Sequence, residues 1–397
     1  MLIEKVLIGG WFQRTTLHIS EIYDFLRTGT SKLSALDSGK LKKYHDDLKV
    51  TDIHYCIDGM ERLKITTTED VGIDIFEDGL IILYTNGSIE VKPESVGTDL
   101  GQLSEYYEKK LSPALNYLFS LGAPVPKELA NIKTVHPYFF ILDQVPRAKI
   151  AEFLGQIEVE RYLETSNSHY DLFRGDRFYI INRKKVSLST TASFVEEQIF
   201  LKEFKSQLHH YLNIHRVIWG RIDKIKAKKT IKGRDIGKVR SEIERYGKTI
   251  NLIEARINQM GTYLSTRAKI AHKDPSLAPF RKSIEYRYET LANTLEYSKH
   301  IWHMTKNHIG SALSLLSDMH QEVTNTSLEN LTVVMIIGAG AGLIQILEAS
   351  GITLFGVICL VVLLVALYAV IKWVRWRNSH NSYEYNEVDY RVDIKGD

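Results

Sequence analysis

The chain has 397 residues, 44% apolar and 25% charged, with a formal net charge of +3. This mixture excludes a disordered or collagen-like chain and a transporter that is apolar throughout. The charge is too balanced to argue nucleic-acid binding from the whole chain, and a mean hydropathy of −0.16 hides that the apolar residues gather at one end.

Residues 1–190 mix short strands and helices. Leu2–Ile8, Ile53–Ile57, Leu63–Thr67, Val71–Phe76, Leu80–Tyr84 and Ile89–Lys92 read as strands, with Pro137–Leu142 and Phe178–Ile181 as further candidates. The Glu77-Asp78-Gly79 and Asn86-Gly87 turns predict consecutive antiparallel hairpins. Ile19–Arg27 and Gly101–Leu121 read as helices. The expectation is an α+β domain with a mostly antiparallel sheet. Met1-Leu2-Ile3-Glu4-Lys5 has no basic flank leading into an apolar run, so no secretory signal is expected. The two cysteines, Cys56 and Cys359, fall in different regions, which argues against a disulfide framework and for reducing surroundings.

Enzyme signatures are missing. There is no GxxxxGK[ST], HExxH, GxSxG or CxxC, so no catalytic residue is assigned. Two patches could hold a ligand. Gly9-Gly10-Trp11-Phe12-Gln13-Arg14 follows the first strand, and Trp11 and Arg14 offer a stacking ring and a guanidinium to a nucleotide. The simpler reading is a strand-to-helix turn with core aromatics, and it is favoured. The stretch Arg216–Arg245 holds 11 Lys or Arg against four acids. Its centre, with Lys228, Lys229, Lys232 and Arg234, could meet phosphates or an anionic leaflet. A solvated charged face is the ordinary alternative.

Residues 191–330 read as a helical stalk. Val239, Ile243, Tyr246, Ile250, Ile253, Ile257, Met260 and Leu264 alternate steps of four and three. So do Ile284, Tyr288, Leu291, Leu295, Ser298, Trp302, Thr305, Ile309, Ala312, Leu316, Met319 and Val323. Both are seams of period 3.5. Pro275 and Pro279 break the pattern, predicting antiparallel helices over about 195–272 and 280–347. His300, His303 and His308 cluster here on mixed faces, a weak pattern for a metal.

The apolar block, 331–371, reads as two transmembrane helices, Leu331–Leu347 and Ile352–Ile371, followed by a tail, 372–397. The link contains Glu348 and no Lys or Arg, whereas Lys372, Arg375 and Arg377 follow the second run. The positive-inside rule then predicts a multi-pass protein of the cell (inner) membrane with both termini cytoplasmic. Gly338 and Gly342 are spaced for close helix packing. Asn330, Val334, Ile337, Ala341, Gln345 and Glu348 share one face, read either as a packing face or as a pore lining.

An α+β domain, a long stalk helix running into the first of two carboxy-terminal membrane helices, and a basic inner end resemble the CorA family of divalent-cation channels. Asn330-Leu331-Thr332 is similar to that family's entry sequence, with tighter spacing, and Leu347-Glu348-Ala349-Ser350-Gly351 stands where its Gly-Met-Asn signature would fall. The resemblance implies a homopentamer with the first membrane helix lining a pore for a divalent cation, and the missing signature puts magnesium selectivity in doubt. It also looks like the CorA-like membrane effectors that accompany type III CRISPR systems in antiviral defence. That implies gating by a nucleotide second messenger, SAM-AMP, which joins S-adenosylmethionine and AMP. The leading expectation is a gated oligomeric ion channel with a ligand-sensing cytoplasmic domain. The alternatives are a magnesium/cobalt-type transporter with a non-standard filter and a non-conducting membrane-anchored scaffold.

Overall fold

The computed structural model describes residues 1–12, 18–57, 60–91, 101–119, 136–156, 163–175, 177–227 and 230–347, together with short pieces between 365 and 376 and residues 382–384. In chain order the strands are β1 (Leu2–Ile3), β2 (Lys5–Trp11), β3 (Val50–Cys56), β4 (Arg62–Thr67), β5 (Val71–Phe76), β6 (Leu80–Thr85), β7 (Ile89–Glu90), β8 (Tyr138–Asp143), β9 (Leu163–Ser166), β10 (Tyr170–Arg174), β11 (Phe178–Arg183), β12 (Thr230–Lys232) and β13 (Ser382–Glu384). The helices are α1 (Ile19–Thr28), α2 (Ser38–Leu48), α3 (Gly101–Tyr106), α4 (Ser112–Phe119), α5 (Arg147–Gln156), α6 (Leu188–Lys226), α7 (Gly233–Lys273) and α8 (Arg281–Leu347). A π-helical turn, Tyr107–Leu111, joins α3 to α4.

Chain contacts divide the molecule into two units, one of Met1–Ile214 with Ile253–His300 and one of His215–Leu252 with Ile301–Asp397. The first holds a nine-stranded sheet of order β3-β4-β5-β6-β2-β8-β11-β10-β9. Every neighbouring pair is antiparallel except β8 with β11, which run parallel. The α+β domain with a mostly antiparallel sheet is therefore present. One face buries Val6, Ile8, Ile73, Ile75, Leu83, Phe140 and Ile180 with the inner sides of α1 to α5. Residues alternate across a strand, so Lys5, Leu7, Gly9 and Trp11 point the other way. There they meet α6, whose Ile199, Phe200 and Phe204 are fully buried.

Both seams are buried at all their predicted residues but two: Val239 is half-buried, and the burial of Val323 is not described. Ile243, Tyr246, Ile250, Ile253, Ile257, Met260 and Leu264 are buried along α7, and Ile284 through Met319 along α8, including Ser298 and Thr305. Each of those hydroxyls donates to a carbonyl one turn back, Thr294 and Ile301 respectively, at 2.8 Å, so neither is left unsatisfied. The single predicted helix over 195–272 is instead two: α6 ends at Lys226, Thr230–Lys232 form β12, and α7 begins at Gly233. Asp274 caps the next turn and Pro275 and Pro279 fix it, as predicted for the break before α8.

The transmembrane hairpin is not borne out. Among the described residues, no helix is long and apolar enough to cross a membrane. The last uncharged run of α8, Leu331–Leu347, rises about 25 Å at ~1.5 Å per residue, less than a hydrocarbon core of ~30 Å. The run 352–371, expected as the second span, lies almost wholly outside the described residues. The expectations of a multi-pass membrane protein and an ion channel, with termini fixed in the cytoplasm, are corrected accordingly.

Where α6 crosses β4, β5, β6 and β2, the interface is polar. Asp74 accepts from the Tyr84 hydroxyl at 3.3 Å, Arg62 lies 3.9 Å from Asp74, and the Lys5 ammonium sits 3.7 Å from the centre of the Tyr84 ring. Glu196 of α6 faces this group. Burial, and then the Asp74 charge, push its carboxyl up to about 7, against the pull of Arg267 and Arg62. A carboxyl raised in the fold contributes stability that is complete below its unfolded value and is lost as pH rises through about 7. Glu196→Gln is therefore expected to be more stable than wild type at pH 8 and to match it near pH 4.5. At ~1.4 kcal/mol per pKa unit the difference is at most about 3 kcal/mol. Urea denaturation of both proteins across that range checks it, and parallel stability curves would contradict it.

Candidate functional site

The residues picked from sequence do not converge. Trp11 is buried against Phe200, Phe204 and Tyr263, and its indole N–H donates to the Asp78 carbonyl at 2.9 Å. The glycines before it serve packing. A Cβ on Gly9 would sit 2.5 Å from the Ile81 carbonyl oxygen and 2.8 Å from Ile199, and one on Gly10 would overlap the Tyr107 hydroxyl. Gly9, Gly10 and Trp11 are thus the packed end of strand β2 and not a turn, and residues 13–17, which lead to α1, lie outside the described residues. Arg14, Lys228 and Lys229 lie outside the described residues. Lys232 is exposed on β12, which pairs with β13, and Arg234 opens α7. Asn330, Val334, Ile337, Gly338, Ala341, Gly342 and Gln345 all lie in α8, and Glu348 falls outside the described residues. His308 pairs with Asp223 at 3.1 Å, and His300 and His303 are exposed. Among the described residues no group of three or more His, Cys, Asp or Glu could hold a metal.

The structure brings together a different set. Arg174 ends β10 and is the cross-strand partner of Tyr179 on β11. Alternation places Arg174 on the same side as Tyr170, whose ring lies 4.6 Å from Phe280 and 5.7 Å from Phe194. The long helices cover that side. On α6, Leu201, Lys202, Lys205, Ser206 and His209 follow the three-and-four spacing of one face. On α8, Tyr286, Arg287, Thr290, Leu291 and Thr294 do the same. Together they line a cavity of about 740 Å³, floored by Leu201 and Leu291, with Gly175 and Leu163 at the sheet edge. All of it lies within the first unit.

The charge in this cavity is one-sided. Arg174, Lys202, Lys205 and Arg287 line it together with His209, and among the described residues no Asp or Glu does. No described carboxylate pairs with those four cations. Arg287 is half-buried between the sheet and α6, donating to the Gln198 side-chain carbonyl and to the Tyr179 hydroxyl. Burial lowers its pKa, the Tyr179 oxygen opposes this, and the nearby Arg174 charge lowers it further. A guanidinium taken from water without a carboxylate is costly, so this site is set to favour an anion. Two rings accompany the charges: Tyr179 is buried and Tyr286 is 71% exposed. Ser206, Thr290 and Thr294 add hydroxyls. Little in the sequence points to this. Lys202 and Lys205 flank Glu203 and Phe204 in what reads as ordinary amphipathic helix, and only the register of β10 against α6 and α8 unites them.

One turn of side chains away, the same two helices carry a buried charge cluster. Arg267 of α7 is 3% exposed. Its Nη1 donates to Asp78 in the β5–β6 turn and its Nε donates to Glu197 of α6 at 3.0 Å. The Tyr288 hydroxyl of α8 donates to the other Glu197 oxygen. The guanidinium also lies 4.8 Å from the centre of the Phe200 ring and 5.4 Å from that of Phe76. Burial opposes the charge on Arg267, but Asp78 and Glu197 outweigh it and hold the group firmly protonated.

No family model matches the chain and no curated protein matches it. The CorA-like resemblance therefore rests on sequence organisation alone.

Replacing Arg267 with Met would leave Asp78 and Glu197 buried without their cation. Arg267→Met is expected to lose about 3–5 kcal/mol of stability, as for a broken buried ion pair. Chemical denaturation at pH 7 measures it. A loss below about 1 kcal/mol would show that the cluster is not a structural linchpin.

Proposed function

We propose that the chain is a ligand-responsive sensor that binds a phosphate-bearing small molecule of nucleotide class in the cleft between β10, β11, α6 and α8. The observation that carries this reading is the unneutralised set Arg174, Lys202, Lys205 and Arg287 around a cavity that also holds Tyr179 and Tyr286. Phosphate oxygens suit the guanidinium fork of Arg and the point charge of Lys. An aromatic base suits the exposed Tyr286 ring, against which it would stack. SAM-AMP belongs to this ligand class, and it is the ligand the family resemblance implies. The response follows from the walls: two of them are long helices, so a ligand that favours one packing of α6 against α8 shifts that packing. Conduction has no place in this reading.

The probes are AMP and inorganic pyrophosphate, titrated into the full chain by calorimetry at low and physiological salt. Both are expected to bind, more weakly as salt rises. Arg174→Ala combined with Lys205→Ala should weaken both at least tenfold while leaving the thermal midpoint nearly unchanged. Tyr286→Ala should weaken AMP and spare pyrophosphate. Absence of binding by both probes at millimolar concentration would refute the assignment.

A further inference from the structure

Three successive residues of α6 face three different partners. Glu196 faces the Asp74 group, Glu197 holds Arg267 and Tyr288, and Gln198 accepts from Arg287. On α8 the matching residues, Arg287 and Tyr288, are also successive. The cleft and the buried cluster are therefore joined by two side-by-side bridges between the same helices, Arg287 to Gln198 and Tyr288 to Glu197. Gln198 is 2% exposed, and its amide nitrogen is buried with no hydrogen-bond partner among the described residues. Its carbonyl is the group Arg287 uses, so nothing else visible fixes the orientation of that amide.

We infer that Arg287 and Tyr288 form a relay through which occupancy of the cleft controls the hold of Tyr288 on Glu197, and so how firmly α8 braces the Arg267 cluster that fixes α7. This rests on the cleft being an anion site. Arg287 now satisfies itself on two neutral oxygens, those of Gln198 and Tyr179. An anion offers it a charged acceptor, which is the stronger partner. As Arg287 turns to the anion, its bridge to Gln198 opens and α8 is released to move against α6. The adjacent Tyr288 hydroxyl then leaves Glu197. Glu197 and Asp78 remain with Arg267, but the α8 anchor of the cluster is gone. The charges on either side of the relay differ in kind: the described lining of the cleft is cationic, whereas the Arg267 cluster holds two carboxylates and one cation. The relay thus carries a position and not a charge.

Hydrogen exchange of α7 amides around Arg267 reads this directly. In the ligand-free chain, Arg287→Ala opens the first bridge and is expected to raise exchange there about tenfold, whereas Lys202→Ala should leave it unchanged. In wild type, saturating AMP should reproduce the increase. In Tyr288→Phe, which keeps the ring and removes the hydroxyl, exchange should already be raised and AMP should add nothing, with AMP affinity within about threefold of wild type. Equal exchange in wild type and ligand-free Arg287→Ala would overturn the relay whatever binds in the cleft. Normal AMP binding with unaltered α7 exchange would overturn it as well. Failure of AMP to bind, with the Arg287→Ala effect present, would instead refute the ligand assignment and leave the mechanical link standing.

Discussion

The first unit is organised around one buried guanidinium. Arg267 lies where the β5–β6 turn, α6, α7 and α8 come together, and each of the four contributes a group to it or through Glu197: Asp78, Glu197, the Arg267 side chain itself and Tyr288. A charge so deep costs several kcal/mol to desolvate, and only close, well-aligned carboxylates offset that. The cluster therefore tolerates very little freedom in where the helices lie. Neighbouring packing obeys the same placement. Trp11 reaches the Asp78 carbonyl with its indole N–H and stacks among Phe200, Phe204 and Tyr263. Gly9 has no room for a side chain because Ile199 of α6 presses onto the strand there.

That placement sorts charge along the helix-covered face of the sheet. A helix turns about 100° per residue, so Glu196, Glu197 and Gln198 cannot share an environment. The Glu196 side collects an excess of acid with Asp74, and the carboxyl responds by rising to about 7. The Glu197 side is matched by Arg267 and closed to solvent. The Gln198 side meets Arg287 and opens into the basic cleft. Acid-rich, matched and base-rich regions thus follow one another across β5 to β10 without any change of fold.

The backbone plan was largely legible in the sequence. Val71–Phe76 is the strand it reads as, and the seams of α7 and α8 are buried at nearly all their predicted residues, because periodicity reports burial directly. Six elements escaped: α2, α5, β9, β10, β12 and β13. Their cause is visible in β9, where Leu163 to Ser166 are all exposed and no alternation survives, and in α2, which buries only Leu41 and Leu48. The membrane reading failed differently. It rested on two uncharged runs of 17 and 20 residues; the first, the end of α8, falls short of a hydrocarbon core, and the second lies almost wholly outside the described residues. The site was illegible for a third reason. Arg174, Lys205 and Arg287 stand far apart in the chain, and nothing local marks any of them. Of the two patches that did look special, Gly9-Gly10-Trp11 is explained by the packing of β2 against α6, and Lys228 and Lys229 lie outside the described residues.

What separates the cleft from an ordinary basic surface is how its neighbours behave. Basic residues close to it on the same part of the sheet have found partners. Arg183 at the end of β11 donates two hydrogen bonds to Glu4, at 2.6 and 2.7 Å. Lys184 holds the buried Asp171 at 2.7 Å, and Arg147 at the start of α5 pairs with Glu164 of β9. The sheet edge is therefore rich in carboxylates, and a cation there is readily neutralised. Arg174, Lys202, Lys205 and Arg287, by contrast, pair with no described carboxylate. Mutual repulsion among four cations raises the energy of the empty cleft, most of all at the half-buried Arg287. An anion that enters relieves that repulsion and supplies the missing acceptor at once. The penalty of leaving these charges unmatched is the physical basis of the anion affinity proposed for this cleft.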